Sequence, residues 1–221
     1  ALIAGELRSA TVNVETALDL SKKLGWPHPM ADHHLFYAQV LHAATRDQEA
    51  KKHLALAHRL IRHYDLCFTR LMYLLTQSYF ALEKGNVGLG LKLLRKGLKF
   101  GQDLGIIPQY LDQPAVTAKL CALALENEIA VDYVRQIIQK RNLTLDPAPL
   151  HLDNWPWPVK LQTFGRFNLA IDDKPLQFSR KVQQKPLDLL KVLVACGGIK
   201  VKEEQIADVL WPEADGDLAH R

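Results

Sequence analysis

Seven of the eight charged residues between Lys174 and Lys202 are basic: Lys174, Arg180, Lys181, Lys185, Lys191, Lys200 and Lys202, against Asp188 alone. A local excess of this kind suits contacts with phosphate oxygens, which seat a protein on nucleic acid without reading its sequence. On charge alone, a solvated cationic face is the better explanation. The nine histidines raise the question of a metal. His33 and His34 follow His28, and His53, His58 and His63 recur every five residues. Five-residue steps walk around a helix by roughly 140° each and hold no single face. No cysteine or carboxylate completes a ligand spacing either. The glycines of Gly85–Lys92, GNVGLGLK, resemble a phosphate loop only loosely, because Gly-Lys-Ser/Thr after a strand is missing. No Ser/His/Asp, Cys/His or paired-carboxylate set clusters as catalysis requires, so no enzyme and no cofactor are expected.

These residues sit in a chain of 221 residues, long enough for one or two domains. A hydrophobic fraction of 48% is ordinary for a chain that buries real cores. No run of about 18 apolar residues could cross a membrane, and no secretory leader is expected. The three cysteines, Cys67, Cys121 and Cys196, are odd in number and far apart. They are expected as buried thiols in a reducing cytoplasm.

Most of the chain follows a period of 40. Ala10, Ala50, Gly90 and Ala130 fall in register, as do Ala17, Ala57 and Gly97, and Ala38, Ser78 and Ala118. Val14, Leu54, Leu94 and Val134 form an apolar column, Gly5 matches Gly85, and the units end at Leu24-Gly25, Tyr64-Asp65 and Leu104-Gly105. Ala50, Leu54 and Ala57 are four and seven apart and share a helix face. Small residues there let a second helix approach closely. One helical hairpin cannot bury its face alone, so hairpins stack. Helices are expected near 8–24, 31–45, 47–64, 66–84, 87–104, 113–126 and 128–142. The small-residue spacing resembles the tetratricopeptide repeat (TPR) family with a longer period.

Residues 143–158, LTLDPAPLHLDNWPWP, carry four prolines, which forbid helix and predict an extended, semi-rigid linker. Trp155 and Trp157 are expected to pack on one neighbouring domain. Beyond the linker the period becomes two. Phe167, Leu169 and Ile171 alternate with polar or small residues, Asp172-Asp173 makes a turn, and Leu176 and Phe178 alternate again. A helix from about Gln183, with Leu187, Leu190 and Val194 on one face, ends at Gly197-Gly198. A second runs from about Lys202 to Trp211, with Glu203 and Glu204 in its first turn to suit the helix dipole. Pro212 stops it, and Asp217 reads as the N-cap of a third helix.

Strands, helix, short helix, loop and helix resemble the OmpR-type winged helix. They also resemble the DNA-binding domain of bacterial transcriptional regulators of the MalT-like and antibiotic-regulator (SARP) kind. LQTFGRF (Leu161–Phe167), KPLDLLKVLVACGG (Lys185–Gly198) and EEQIADVLWPEADGD (Glu203–Asp217) carry the resemblance. It implies a mostly α chain: a TPR-like α-solenoid over 1–142, a proline-rich linker over 143–158 and a small α+β winged-helix domain over 159–221. It further implies that the third helix reads the major groove. Only its first turn, Leu218–Arg221, is present, and His220 and Arg221 in it become candidate contacts to phosphate or groove. Arg180, Lys181, Lys185 and Lys202 become candidate DNA-backbone ligands. Relatives usually carry Ser or Thr at the position of Lys202.

The chain begins at Ala1 and stops one turn into that third helix, so it reads as the C-terminal part of a cytoplasmic transcription regulator. An ATPase domain of such regulators would lie upstream. The expected partners are double-stranded promoter DNA and a protein or small effector on the repeats, with homo-oligomerisation on activation as one route. Base readout needs the absent helix, so at most weak, non-specific DNA binding is expected of this chain. The alternative is a protein-interaction scaffold whose winged helix does not read DNA.

Overall fold

The computed structural model describes residues 6–108, 113–163, 165–176 and 184–212. Phe178, Arg180, Lys181, Asp217, His220 and Arg221, singled out above, lie outside them. The chain is mostly helical, with nine helices and one three-stranded sheet among the described residues. It divides into two compact units, residues 1–157 and 158–221. No helix among the described residues is long and apolar enough to cross a membrane.

The first unit holds α1 (Leu7–Leu24), α2 (Pro27–Ala43), α3 (Asp47–Tyr64), α4 (Cys67–Glu83), α5 (Val87–Asp103), α6 (Pro114–Glu126) and α7 (Val131–Arg141). The period of 40 governs their ends: α1, α3 and α5 start at residues 7, 47 and 87, and α2 and α4 at 27 and 67. It also governs the backbone where the chain reverses. Gly25, Asp65 and Gly105 are left-handed, with φ of 67°, 50° and 64°. Thr45 and Gly85, a further pair 40 apart, share that conformation. A residue at positive φ closes a helix C-terminus by bringing its N–H back to the last free carbonyls, which Gly25 does to Lys22 and Ser21.

The aligned columns are the helix crossings. Ala38, Ser78 and Ala118 are wholly buried, and so are Leu94 and Val134, with Val14 and Leu54 nearly so. Where the two small-residue columns meet, the Ser78 hydroxyl donates to the carbonyl of Gly90 at 2.8 Å. Ala130 departs from its column: it caps α7 in a left-handed conformation rather than lying within a helix. Two main cores result. One joins α2, α3 and α4 through Leu35, Leu41, Ala57 and Met72. The other joins α4 through α7, with Leu71, Leu94, Leu125 and Ile137 at its centre.

Three expectations need correction. Helix α2 begins at Pro27, not near residue 31. Proline is compatible with the first helical turn because its missing N–H has no partner there, and Pro27 occupies that turn. Residues 143–157 are not an extended connector. They fold in turns onto the first unit, and Leu143, Leu152 and Trp155 enter its core. Trp157 packs against the same cluster, its ring 6.0 Å from that of Trp155. The thiols differ too: Cys121 is buried, Cys67 is half-buried and Cys196 is exposed.

The second unit has β1 (Val159–Gln162), β2 (Asn168–Ile171) and β3 (Lys174–Pro175) in an antiparallel sheet ordered β1-β2-β3, with Val159 opposite Ile171 and Leu161 opposite Leu169. Asp172 and Asp173 form the tight hairpin turn, with φ of 49° and 62°. Both signs are those of the turn whose twist matches paired strands. Helices α8 (Gln184–Ala195) and α9 (Glu203–Leu210) follow and pack together. Gly197 and Gly198 close α8, both at positive φ.

Candidate functional site

In the second unit Lys185 lies exposed in the first turn of α8, and Lys202 lies exposed as the N-cap of α9. A lysine side chain has no acceptor and cannot cap. The cap is therefore half made: the backbone N–H of Lys202 donates to Gln205 Oε1 at 3.2 Å. Lys174 in β3 and Lys200 in the α8–α9 loop are exposed as well. Two other lysines are neutralised locally. Lys191 pairs with Asp188 at 2.9 Å and lies over the Phe167 ring, and Lys160 pairs with Asp173 at 2.6 Å. That leaves Lys174, Lys185, Lys200 and Lys202 without a carboxylate partner among the described residues. Of the six residues proposed from sequence, the structure places Lys185 and Lys202; Arg180, Lys181, His220 and Arg221 lie outside the described residues.

Among the described residues of the first unit lie two sizeable concavities. One, of about 440 Å³, runs between α4, α6 and the folded proline-rich segment; Leu82, Leu123, Leu145 and Pro149 line it together with Glu83, Lys119, Glu126 and His151. The other, of about 570 Å³, lies between α3, α4 and α5. Arg62, Arg70 and Lys96 open onto it from those three helices, opposed by Asp65. Sequence reasoning passed over these cations because 34 positions separate the first from the last and no local motif links them. A comparison of positions 40 apart is the one signal that could have found them.

Histidines gather where α1, α2 and α3 meet. The His33 ring bonds to the Ser21 hydroxyl at 3.2 Å, and His34 Nδ1 lies 3.0 Å from His53 Nδ1. Thr69 donates to Asp32 Oδ1 at 2.6 Å, and burial raises that carboxyl above its ordinary range. The five-residue spacing within α3 gave no hint of the pairing of His34 with His53, which arises between helices. Among the described residues no three His, Cys, Asp or Glu side chains form a metal-ligand group. The GNVGLGLK stretch serves the helices: Gly85 turns the chain at φ 74°, and Asn86 caps α5 by accepting from the N–H of Leu89 at 3.2 Å.

The histidine pair carries a pH prediction. Two ring nitrogens in contact hold one proton between them, so the two rings cannot both be charged in the fold. Burial, and then the charge of His53, push the His34 ring down to about 4, and burial lowers His53 and His33 as well. A folded-state value below the unfolded one means that stability is complete above about pH 6.5. It falls progressively as the pH drops from there towards His34's folded value, because the unfolded chain binds the extra protons. Asp32 acts with the opposite sign, at lower pH. The urea midpoint of the helical transition is expected to fall between about pH 7.5 and about pH 5, by the equivalent of about 1–2 kcal/mol. His34→Gln should flatten that dependence. An identical fall in the variant would refute the assignment to His34.

Comparison with known proteins finds no matching family model, no matching curated protein and no matching solved structure.

Proposed function

We propose that the chain belongs to a bacterial transcriptional regulator, in which a TPR-like helical-repeat domain governs a winged-helix domain that binds promoter DNA. The observation that carries this reading is the placement of Lys185 and Lys202. Each stands at the start of a helix, exposed and without a carboxylate partner among the described residues. A cation at a helix N-terminus opposes the helix dipole, at a cost of about 0.3–1 kcal/mol. An anionic ligand reverses the sign of that term, since free N–H groups and lysine then act together. Glu203 and Glu204 weaken the field at α9, so α8 is the stronger of the two. Lys174 and Lys200 extend the cationic surface, and the hairpin, α8 and α9 follow the order expected of the winged helix. Arg180, Lys181, His220 and Arg221 join the proposed contacts on their sequence positions alone.

The test is an anisotropy titration of a labelled duplex with the whole chain at several salt concentrations. Weak binding without sequence preference is expected, with log K falling linearly in log salt. In the Lys185→Ala/Lys202→Ala variant the slope should drop by about 2, roughly one per phosphate contact. An absence of binding at low salt, or an unchanged slope in the variant, would reject DNA contact through these helices. The second reading, a protein-contact module, draws on Ile199 and Val209, which expose 80% and 60% of their surface. A failed DNA titration would favour it.

A further inference from the structure

We propose that the concavity between α3, α4 and α5 is a binding site for a small organic phosphate, a phosphomonoester on a compact, partly apolar body. The proposal names a ligand class for the repeat domain and rests on that domain's proposed sensing role only for its biological meaning. Binding itself is independent of DNA.

Three cations from three helices converge on one concavity: Arg62 near the end of α3, Arg70 in the first turns of α4 and Lys96 in α5. None of the three forms an ion pair among the described residues, whereas Lys23, Arg46, Lys84 and Lys99 do elsewhere in the same unit. One carboxylate, Asp65, lines the same space, so positive charge exceeds negative there by two. Like charges brought together without compensation repel one another, and a dianion removes that repulsion.

One of the cations, Arg70, is also pre-positioned. The Arg70 guanidinium rests 4.8 Å above the Phe100 ring. That contact restrains a long side chain and lowers the entropy lost when its fork meets phosphate oxygens. Within the same lining His58 stacks on Tyr73, the rings 5.1 Å apart and 6° from parallel, and Gln77 supplies a neutral donor and acceptor. Ile61 and Leu74 are buried beneath. Cations, a stacked ring pair and buried apolar side chains around about 570 Å³ suit a small ligand with one charged end. Extended nucleic acid calls for a basic stripe, and an acidic peptide for a long groove. Here the charges instead enclose a single space.

The repeat supplies an internal comparison. Forty residues earlier, the positions of Arg70 and Lys96 hold Met30 and Leu56 and that of Arg62 holds Lys22; forty later, those of Arg62 and Lys96 hold Gln102 and Gln136. Helix packing therefore does not require charge at these positions. The trio belongs to one junction of the array.

The whole chain would be titrated calorimetrically with phenyl phosphate, with inorganic phosphate and with hexaglutamate, at constant ionic strength. Saturable binding of phenyl phosphate is expected, tighter than that of inorganic phosphate. Arg62→Gln/Lys96→Gln should weaken it about tenfold or more, while circular dichroism reports an unchanged fold. Arg70→Lys, which keeps the charge and loses the fork, should weaken it by a smaller factor. The proposal fails if no saturation is seen by about 10 mM, if the double variant binds equally, or if hexaglutamate binds more tightly than phenyl phosphate. The duplex titration reads Lys185 and Lys202 in the other unit, so either test can fail alone.

Discussion

Trp155→Ala is expected to lower the stability of the helical unit by about 3–5 kcal/mol, the usual cost of emptying a large buried aromatic site. A domain of this size is stable by about 5–15 kcal/mol in all, so one substitution would remove a large share. The ring is 3% exposed and belongs to the core that joins α4 through α7. Its neighbourhood is pinned by hydrogen bonds that a free connector would not make. The Asn154 amide donates to the Leu125 carbonyl at 3.2 Å, and Arg135 donates to the Asn154 carbonyl at 3.2 Å. The measurement is urea unfolding followed by helical circular dichroism, which reports mainly the first unit. Leu150→Ala is the control, since Leu150 is 80% exposed and its loss should stay within about 0.5 kcal/mol. If Trp155→Ala costs no more than that control, residues 143–157 behave as a linker and their packing adds nothing.

The fate of that segment shows what a sequence can and cannot declare. The prolines of 143–158 exclude a helix, and that inference holds. They do not separate an extended connector from a run of turns. Leu143, Leu152 and Trp155 reach the core at irregular spacing, so no period announces them. The repeat was legible for the opposite reason. A helix crossing admits only small side chains, and stacking returns the same crossing every 40 residues, so Ala38, Ser78 and Ala118 mark it directly. The left-handed residue at each unit's end was legible at Gly25 and Gly105, where glycine declares it, and at Asp65 only through alignment. Thr45 carries the same conformation with nothing in its own type to suggest it. The candidate sites divide in the same way. A run of lysines such as Lys174–Lys202 is visible in one dimension. The trio of Arg62, Arg70 and Lys96, and the pairing of His34 with His53, exist only once helices have packed.

Gly101→Ala should destabilise the helical unit, although alanine is the better helix former. In an exposed helix interior the exchange stabilises by about 1 kcal/mol. Gly101 is instead buried in α5, where a Cβ would overlap the Tyr133 hydroxyl and stand 3.0 Å from Leu71 Cδ2. The phenol cannot simply step aside. Burial pushes it up to about 12, so it stays protonated, and it donates to the Ile106 carbonyl. Moving it strands a buried donor and acceptor at about 1–3 kcal/mol, and the crowding itself costs about as much again. The sum outweighs the gain in propensity, leaving a net loss of about 1–5 kcal/mol. Gly88, in the first turn of the same helix, meets nothing within 4 Å, and Gly88→Ala should be neutral or slightly stabilising. The decisive measurement is a double-mutant cycle with Tyr133→Phe. Removing the hydroxyl makes room for the new methyl, so Gly101→Ala should cost far less in that background, with a coupling of about 1 kcal/mol or more. Additive effects would mean that some other contact sets the size limit at residue 101, and that the phenol is not what holds this position to glycine.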